Sequence, residues 1–302
     1  MRPARTLSLL IALTGGSLMT AAEAADKPDV ENGRYIFNAG GCASCHAAPA
    51  TDKCDEPKYT GALKLTGGRC LKTPFGTFYV PNITPGKTSG IGGWSDDDFI
   101  NAMTKGVSPT GKQYYPAFPY ASYQRMTRKD LLDLKAFLDT VEAVPSKVPE
   151  TSLPFPYNMR FGMRFWKWLY LDGETFTPDP SKSAQINRGA YLVEGPGHCG
   201  ECHTPRSWMG GMKEAKKLSG GPNPDGKGSI PNITPHKTGI GSWSEKDIVY
   251  ALESGFTPEG DVMGGSMTKV QENMAKLSAE DRQAIAAYLK SIPPVESSQG
   301  KK

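Results

Sequence analysis

The amino-acid sequence predicts an all-α fold built from two small domains in tandem. The motif Cys-x-x-Cys-His occurs at residues 42–46 and again at residues 199–203. The segments around the two motifs resemble each other and keep the same order along the chain. No segment alternates apolar and polar residues convincingly enough to predict a half-buried strand.

The similarity between the two halves covers three segments. VPNITPGKTSGIGGWSDDDFINAMTKGVSPTG, residues 80–111, matches IPNITPHKTGIGSWSEKDIVYALESGFTPEG, residues 230–260, with one extra residue in the first copy. Upstream, GRYIFNAGGCASCH matches GAYLVEGPGHCGECH, and downstream MTRKDLLDLKAFLDTV matches LSAEDRQAIAAYLKSI. Because all segments keep their order, we interpret the chain as two copies of one unit.

Length and composition agree with two globular domains. The chain has 302 residues, 38% of them apolar, with 34 glycines and 25 prolines that indicate much loop. The formal charge of +4 is small and evenly spread, which argues against a nucleic-acid partner. The predicted boundaries are a signal peptide at 1–24, a first domain at 25–144, a linker at 145–182, a second domain at 183–294 and a polar tail at 295–302.

The N-terminal segment has the pattern of a secretory signal peptide. Arg2 and Arg5 precede a short apolar run over residues 7–13, and Ala22-Glu23-Ala24 resembles a cleavage site. The alternative is a membrane anchor, but the apolar run is too short to span a bilayer. We therefore expect an exported, soluble periplasmic protein with no membrane span after cleavage.

Each unit is expected to contain a short helix before its motif, a middle helix and a last helix. Polar residues that can cap the middle and last helices are followed three residues later by aspartate. These pairs are Ser95 and Asp98, Ser244 and Asp247, Thr127 and Asp130, and Ser278 and Asp281.

The predicted linker breaks the repeat. It is rich in proline at both ends and aromatic and basic at its centre, where residues 158–171 can form a helix. Met159, Met163, Trp166 and Tyr170 would share one side of that helix. Either this segment straps the two domains together or it forms a docking patch for a partner, since Trp, Tyr, Met and Arg favour interfaces.

A Cys-x-x-Cys-His motif is compatible with three kinds of site. A zinc site would have to combine the two copies, and a thiol redox site needs a preceding strand that neither copy has. In c-type haem attachment the two thiols bind the porphyrin and the histidine ligates the iron. Two copies in an exported chain favour haem, with Cys42, Cys45, Cys199 and Cys202 as the covalent attachments and His46 and His203 as iron ligands.

The two remaining cysteines are Cys54 and Cys70. In an oxidising compartment we expect them to form a disulfide, which would contribute about 3 kcal/mol by the chain-entropy estimate. The alternative is a pair of free thiols.

On the basis of these repeated motifs, each unit resembles a class I cytochrome c domain. The double unit, with PNITPGKTSGIGGWS in one half and PNITPHKTGIGSWS in the other, resembles the dihaem cytochrome c family. That family includes the electron-accepting subunits of periplasmic sugar and alcohol dehydrogenases. The resemblance runs from about residue 32 to residue 294. It implies all-α domains, two covalently bound haem c groups, His/Met ligation and electron transfer.

The resemblance implies a methionine opposite each histidine. In the second unit Met267 follows Gly-Gly-Ser and matches the family position, whereas Met263 and Met274 lie nearer the preceding turn and the last helix. The first unit has Phe118 where relatives often have methionine, and phenylalanine cannot bind iron. We expect Met126 to ligate the first iron, the alternative being an apolar staple like Leu277 in the second unit.

Other repeated polar and aromatic residues have two interpretations. Asn82, Asn232, Trp94 and Trp243 can donate hydrogen bonds to haem propionates, or they form turns and core. His198 and His236 correspond to glycines in the first unit, which indicates loop residues and not ligands. Met103 falls within the middle helix and is expected to lie in the core.

Two functions follow from this sequence. The first is a dihaem carrier that takes electrons from a periplasmic dehydrogenase and passes them to another cytochrome or a terminal oxidase. The second is a haem enzyme, a peroxidase or sulfur-compound oxidoreductase, with an open or labile site on the first haem. The sequence offers no convincing set of catalytic acids and bases, and Phe118 is the feature that favours the enzyme.

Overall fold

A computed structural model describes residues 27–47, 64–223 and 228–297. Helices are the main regular structure of the described residues, so the predicted all-α fold is confirmed in part. They contain one 3₁₀ turn at Glu214–Lys216 and eleven α-helices. The helices are α1 (Val30–Ala39), α2 (Cys42–His46), α3 (Asp96–Lys105), α4 (Tyr120–Tyr123), α5 (Arg128–Leu138), α6 (Gly162–Tyr170), α7 (Ala184–Glu194), α8 (Gly200–His203), α9 (Glu245–Ser254), α10 (Ser266–Met274) and α11 (Ala279–Ser291).

The prediction that no strand would form is wrong. Strands β1 (Cys70–Thr73) and β2 (Gly76–Tyr79) pair antiparallel, and β3 (Gly221–Pro222) and β4 (Ser229–Ile230) form a second, shorter pair. A strand of two to four residues is too short to show a recognisable alternation in the sequence. Both hairpins lie between a Cys-x-x-Cys-His segment and the following middle helix.

The predicted caps of the middle helices are confirmed. Ser95 accepts a hydrogen bond from the Asp98 amide at 3.1 Å and its own amide donates to the Asp98 carboxylate at 3.0 Å. Ser244 and Asp247 form the same pair of bonds. Each pair satisfies two amides at the start of α3 or α9 that have no partner within the helix.

The last helices are capped by hydroxyls as predicted, but their aspartates have a different role. Thr127 accepts from the Asp130 amide and Ser278 from the Asp281 amide, both at 3.1 Å. The two carboxylates turn away from the cap and accept from tyrosine hydroxyls in the other half of the chain. The first turns of α5 and α11 therefore form hydrogen bonds with residues of both halves.

The first and last helices of each half are packed closely because a glycine lies at each crossing. A Cβ atom on Gly33 of α1 would lie 1.9 Å from the Asp133 carbonyl oxygen of α5. A Cβ atom on Gly189 of α7 would lie 1.9 Å from the Ala284 carbonyl oxygen of α11. Only glycine permits this approach, and the apolar faces of the helices then form one core in each half.

The predicted linker contains a helix that is shorter than expected. Helix α6 begins at Gly162, because residues 155–161 form turns. Met163 and Trp166 are buried against Tyr120, as the strap interpretation expects, but Met159 is 39% exposed. None of the helices in the described ranges is both long and apolar enough to cross a membrane.

Candidate functional site: two Cys-x-x-Cys-His segments

The first candidate site is built around α2. Gly41 precedes the helix with a left-handed φ of 56°, and the single helical turn places Cys42, Cys45 and His46 close to one another. His46 Nδ1 lies 2.8 Å from the carbonyl oxygen of Pro81. Pro81 is the first residue of the repeated Pro-Asn-Ile-Thr-Pro segment. The chain fold therefore places the start of this segment next to the first motif.

The second candidate site has the same arrangement. Helix α8 carries Cys202 and His203, with Cys199 at its N-terminal boundary, and His203 Nδ1 lies 2.9 Å from the carbonyl oxygen of Pro231. Neither Pro81 nor Pro231 was expected from the sequence to contact a motif histidine. Both prolines begin the repeated Pro-Asn-Ile-Thr-Pro segment, and that recurrence was the signal that could have identified them.

These contacts determine which imidazole nitrogen is available. When Nδ1 donates its hydrogen to a proline carbonyl, Nε2 keeps its lone pair and can bind a metal ion. Burial lowers the pKa of His46 to about 4, and the hydrogen bond to Pro81 opposes this shift only in part. Burial also lowers the pKa of His203. Both imidazoles are therefore neutral near pH 7, which is the form that acts as a ligand.

The thiols of Cys42, Cys45 and Cys199 are held in their protonated form. Burial raises the pKa of Cys42 and of Cys199 to about 12, and the second cysteine of each motif adds to the shift. Burial also raises the pKa of Cys45. Disulfide exchange requires a thiolate, so the raised pKa of these thiols disfavours the thiol redox alternative.

The donor set fits haem c. Cys42, Cys45 and Cys199 form no disulfide. Across the part of the chain that the structure describes, no three His, Cys, Asp or Glu side chains are grouped as a metal cluster. Two neutral thiols and one imidazole with a free Nε2, on one helical turn, are what covalent haem attachment with a histidine ligand requires.

The side chains of the two repeated asparagines form hydrogen bonds with other groups of the chain. The Asn82 side chain donates to the Val144 carbonyl at 2.9 Å and accepts from the Thr84 amide at 2.7 Å. Asn232 donates to the Val295 carbonyl at 2.7 Å and accepts from the Thr234 amide. Each asparagine ties its loop to the segment after the last helix, which favours the turn-forming role over a bond to a haem propionate.

The two repeated tryptophans are half-buried and pack against the two cores. Trp94 contacts the first core and Trp243 the second. The Trp243 indole also donates to the Glu259 carboxylate at 3.1 Å. Core packing is thus observed for both residues.

The candidate methionine ligands lie in different environments. Met267 is half-buried in the first turn of α10, directly after Gly264, Gly265 and Ser266. Met126 is 2% exposed and lies in the first core, immediately before the cap residue of α5. Leu277 lies at the matching place in the second core, immediately before the cap residue of α11. Iron ligation by Met267 and by Met126 stays a prediction.

Two other methionines of the second half have contrasting environments. Met263 is half-buried in the loop before α10, and Met274 is buried in the second core. The position of Met274 agrees with the packing role expected for it.

A small apolar cavity in the first half was not anticipated. It lies beside Cys42 and is lined by both Met103 and Met126, together with Tyr123 and Leu134. Met103 is buried in α3, as expected for a core residue, but its thioether side chain also reaches this cavity. The first site therefore has two thioethers near Cys42.

Phe118 lies within a group of aromatic rings. Its ring centroid is 6.1 Å from that of Tyr114, 6.4 Å from that of Tyr120 and 5.6 Å from that of Tyr123. All three pairs are in edge-to-face geometry, which stabilises aromatic contacts. The segment where relatives often carry methionine is thus filled by apolar and phenolic groups.

The two histidines outside the motifs make different contacts. His236 contacts only its own loop, with Nδ1 2.9 Å from the Thr238 hydroxyl. His198 contacts the other half of the chain, with Nε2 3.2 Å from the Gly40 carbonyl oxygen. The predicted disulfide involves Cys54, which lies outside the described residues, so the Cys54–Cys70 pairing stays a prediction.

Comparison with known proteins identifies relatives of the whole chain. The cytochrome c family profile matches residues 30–142. A protein of Cereibacter sphaeroides described as "Diheme cytochrome c-type" is 48% identical over 268 residues, covering 89% of this chain and 87% of that protein.

Two further relatives are described as subunits of dehydrogenases. "Alcohol dehydrogenase (quinone), cytochrome c subunit" of Gluconacetobacter polyoxogenes is 38% identical over 300 residues, covering 95% of this chain. "Fructose dehydrogenase cytochrome subunit" of Gluconobacter japonicus is 35% identical over 272 residues, covering 89% of this chain. The chain spans only 61% and 54% of the lengths of these two relatives.

Proposed function

The chain belongs to the family of dihaem c-type cytochromes, and we propose that it carries single electrons from a periplasmic dehydrogenase towards the respiratory chain. The observation that carries this proposal is the matched pair of histidines. Nδ1 of each contacts a proline carbonyl, and each Nε2 is left to bind iron beside the two thiols of its motif. Bound haem supplies an iron that takes up and releases one electron.

The proposed architecture is two cytochrome c domains in tandem, joined by the segment at 145–182. It is supported by the matching order of helices and hairpins in the two halves and by the two core clusters, one centred in each half. It is also supported by equivalent contacts, such as those of Asn82 and Asn232 with the segments that follow the last helices.

The proposed haem attachments are Cys42 and Cys45 in the first domain and Cys199 and Cys202 in the second. His46 and His203 would each supply an imidazole nitrogen to an iron, and Met267 would supply a thioether to the second iron. For the first iron we keep Met126 as the sixth ligand, supported by its place beside the cavity that Cys42 lines. Burial of a thioether ligand among apolar side chains favours the reduced iron and raises the potential.

The proposed electron donor is a dehydrogenase of the kind named in the relatives, and the acceptor is another cytochrome or a terminal oxidase. The support is that relatives covering most of this chain are described as cytochrome subunits of alcohol and fructose dehydrogenases. The proposed periplasmic location rests on the N-terminal sequence pattern of residues 1–24.

A second candidate function is a haem enzyme that uses the first site. Two observations favour it: Phe118 lies in an aromatic group that offers no ligand, and Met126 occupies the core position that Leu277 has in the other half. If Met126 serves only as packing, the first iron has an open position that can bind peroxide or a sulfur compound.

The deciding experiment combines denaturing intact-mass measurement with optical titration of the purified holoprotein. For the carrier we expect a mass that exceeds the polypeptide by two haems, two one-electron steps, and no spectral change with cyanide or carbon monoxide. A mass excess of fewer than two haems contradicts the proposed function. A spectral change with carbon monoxide in one haem, together with turnover of peroxide, would establish the second candidate instead.

A further inference from the structure

The chain segments that precede the two motifs touch each other. A Cβ atom on Gly40 would lie 3.4 Å from the Pro196 carbonyl oxygen and 3.4 Å from Cys42 Sγ. Gly40 is two residues before Cys42, and Pro196 is three residues before Cys199. The first attachment cysteines of the two sites are therefore linked by a contact between neighbouring backbone segments, with no intervening element.

The side chain of His198 adds two contacts at this place. Its ring lies edge-on to the ring of Tyr123, with centroids 5.6 Å apart and an interplanar angle of 82°, and its Nε2 lies 3.2 Å from the Gly40 carbonyl oxygen. Tyr123 lines the cavity beside Cys42. One side chain thus contacts both the segment that leads into the first motif and a ring next to its cysteine, while its own backbone continues into Cys199.

The backbone of His198 is strained. Its φ is +39°, in the left-handed region, where Gly41 with a φ of +56° has the matching place before Cys42. This region of backbone conformation is unfavourable for a residue with a Cβ atom. A glycine at 198 would remove this strain, so the folding of the turn gives no reason for a histidine there. Strain of this kind points to a functional constraint when the surrounding contacts hold it in place.

Two further hydrogen bonds hold the same junction. Asn273 of α10 donates to the Ser44 hydroxyl, within the first motif, at 3.0 Å. Ser122 of α4 donates to the Glu201 carboxylate, within the second motif, at 2.9 Å. Each motif is thereby tied to the helix that precedes the last helix of the opposite half. The two bonds fix the relative position of the motifs independently of His198.

We infer that His198 is a positioning residue that couples the two haem sites and sets the rate at which an electron passes between them. The inference rests on the proposed function, because it requires both haems. In this step one iron loses an electron and the other gains it, and no bond forms or breaks. Electron transfer slows steeply as packing between donor and acceptor is lost. The His198 ring lies against Tyr123 and the Gly40 carbonyl, so its removal opens a gap between these two groups.

The test replaces His198 in the holoprotein. His198→Gly fits the left-handed backbone and removes the ring, and His198→Asn also tolerates that backbone while lacking an aromatic ring. His236→Asn is the matched control, because His236 contacts only its own loop. Flash photoreduction with fewer electrons than haems, followed optically, measures how fast the electron redistributes between the two sites.

We expect both His198 variants to retain two covalent haems and the wild-type spectra but to redistribute the electron several-fold more slowly. The His236→Asn variant should redistribute it at the wild-type rate. A wild-type rate in either His198 variant overturns the inference while leaving the proposed function intact. A wild-type protein with fewer than two haems overturns the proposed function itself, so the two failures are distinguishable.

Discussion

The Tyr35 hydroxyl of α1 donates a hydrogen bond to the Asp281 carboxylate of α11 at 2.6 Å, across 246 residues of sequence. Tyr191 of α7 makes the reciprocal contact with Asp130 of α5. The same two hydroxyls accept hydrogen bonds from the Ser278 and Thr127 amides. Each half of the chain therefore caps the last helix of the other half, and the two halves are joined at symmetric positions.

Loss of either tyrosine hydroxyl should weaken this junction. Tyr35→Phe and Tyr191→Phe keep the rings but remove one hydrogen bond to a carboxylate and one from a helix-cap amide, so each should lower the free energy of unfolding by about 1–3 kcal/mol. Chemical denaturation of the holoprotein measures this. Tyr250→Phe, at a tyrosine that is 52% exposed, serves as control. Wild-type stability in both junction variants would show that the reciprocal contacts contribute nothing.

The junction should also depend on pH through Asp281. Burial raises the pKa of Asp281, but hydrogen bonds from Arg188 and Tyr35 outweigh this effect and hold it below its usual value. A depressed folded pKa gives stability that is present above the unfolded value of about 3.9 and is lost as pH falls through the folded pKa. Asp281→Asn should therefore be less stable than wild type at pH 7, and the difference should shrink below about pH 4.

Denaturation curves from pH 7 down to the acid limit test this prediction. Glu280→Gln removes an exposed carboxylate from the same helical turn and is the matched control. A difference between Asp281→Asn and wild type that is constant over the whole pH range would rule out ionisation of Asp281 as its cause.

The axial ligands can be separated from packing residues by substitution. Met267→Ala should abolish the His/Met absorption signature of one haem, and Met263→Ala should leave it unchanged. Met126→Ala should abolish the signature of the other haem. Met126→Leu keeps an apolar side chain like Leu277 but removes the thioether, so it should lose the signature while retaining most of the stability. Unchanged spectra and potentials in Met126→Leu would identify Met126 as a packing residue.

The linker helix offers a matched pair of tryptophans. Trp166 is 4% exposed and donates to the Met209 carbonyl at 2.9 Å, whereas Trp168 is 75% exposed. Trp166→Ala should lower the free energy of unfolding by about 3–5 kcal/mol, and Trp168→Ala should change it by less than about 0.5 kcal/mol. Equal effects of the two substitutions would contradict the strap interpretation. Slower reduction by the dehydrogenase in Trp168→Ala alone would support docking at this surface.

Export predicts a defined N-terminus. If residues 1–24 are a signal peptide, the mature protein recovered from the periplasmic fraction should begin at Ala25. N-terminal sequencing and intact mass measure this directly. A mature protein that retains Arg2 and Arg5 would contradict the predicted cleavage.

Several features of the fold were predictable from the sequence because they depend on neighbouring residues. A capping hydroxyl bonds an amide three residues away, so Ser95, Ser244, Thr127 and Ser278 could be recognised as helix starts. The strands were missed because they are only two to four residues long. The linker helix was placed too early because residues 155–161 form turns, which the apolar pattern alone did not reveal.

The sequence by itself predicted the attachment groups, since two thiols and an imidazole on one helical turn are the pattern that binds one haem. Only the tertiary structure decided which carbonyl fixes each imidazole, as His46 and Pro81 are 35 residues apart. It also decided that Tyr35 reaches Asp281 and that His198 reaches Gly40. The physical reason is that contacts within one helical turn follow from local geometry, whereas contacts between distant segments form only when two cores pack against each other.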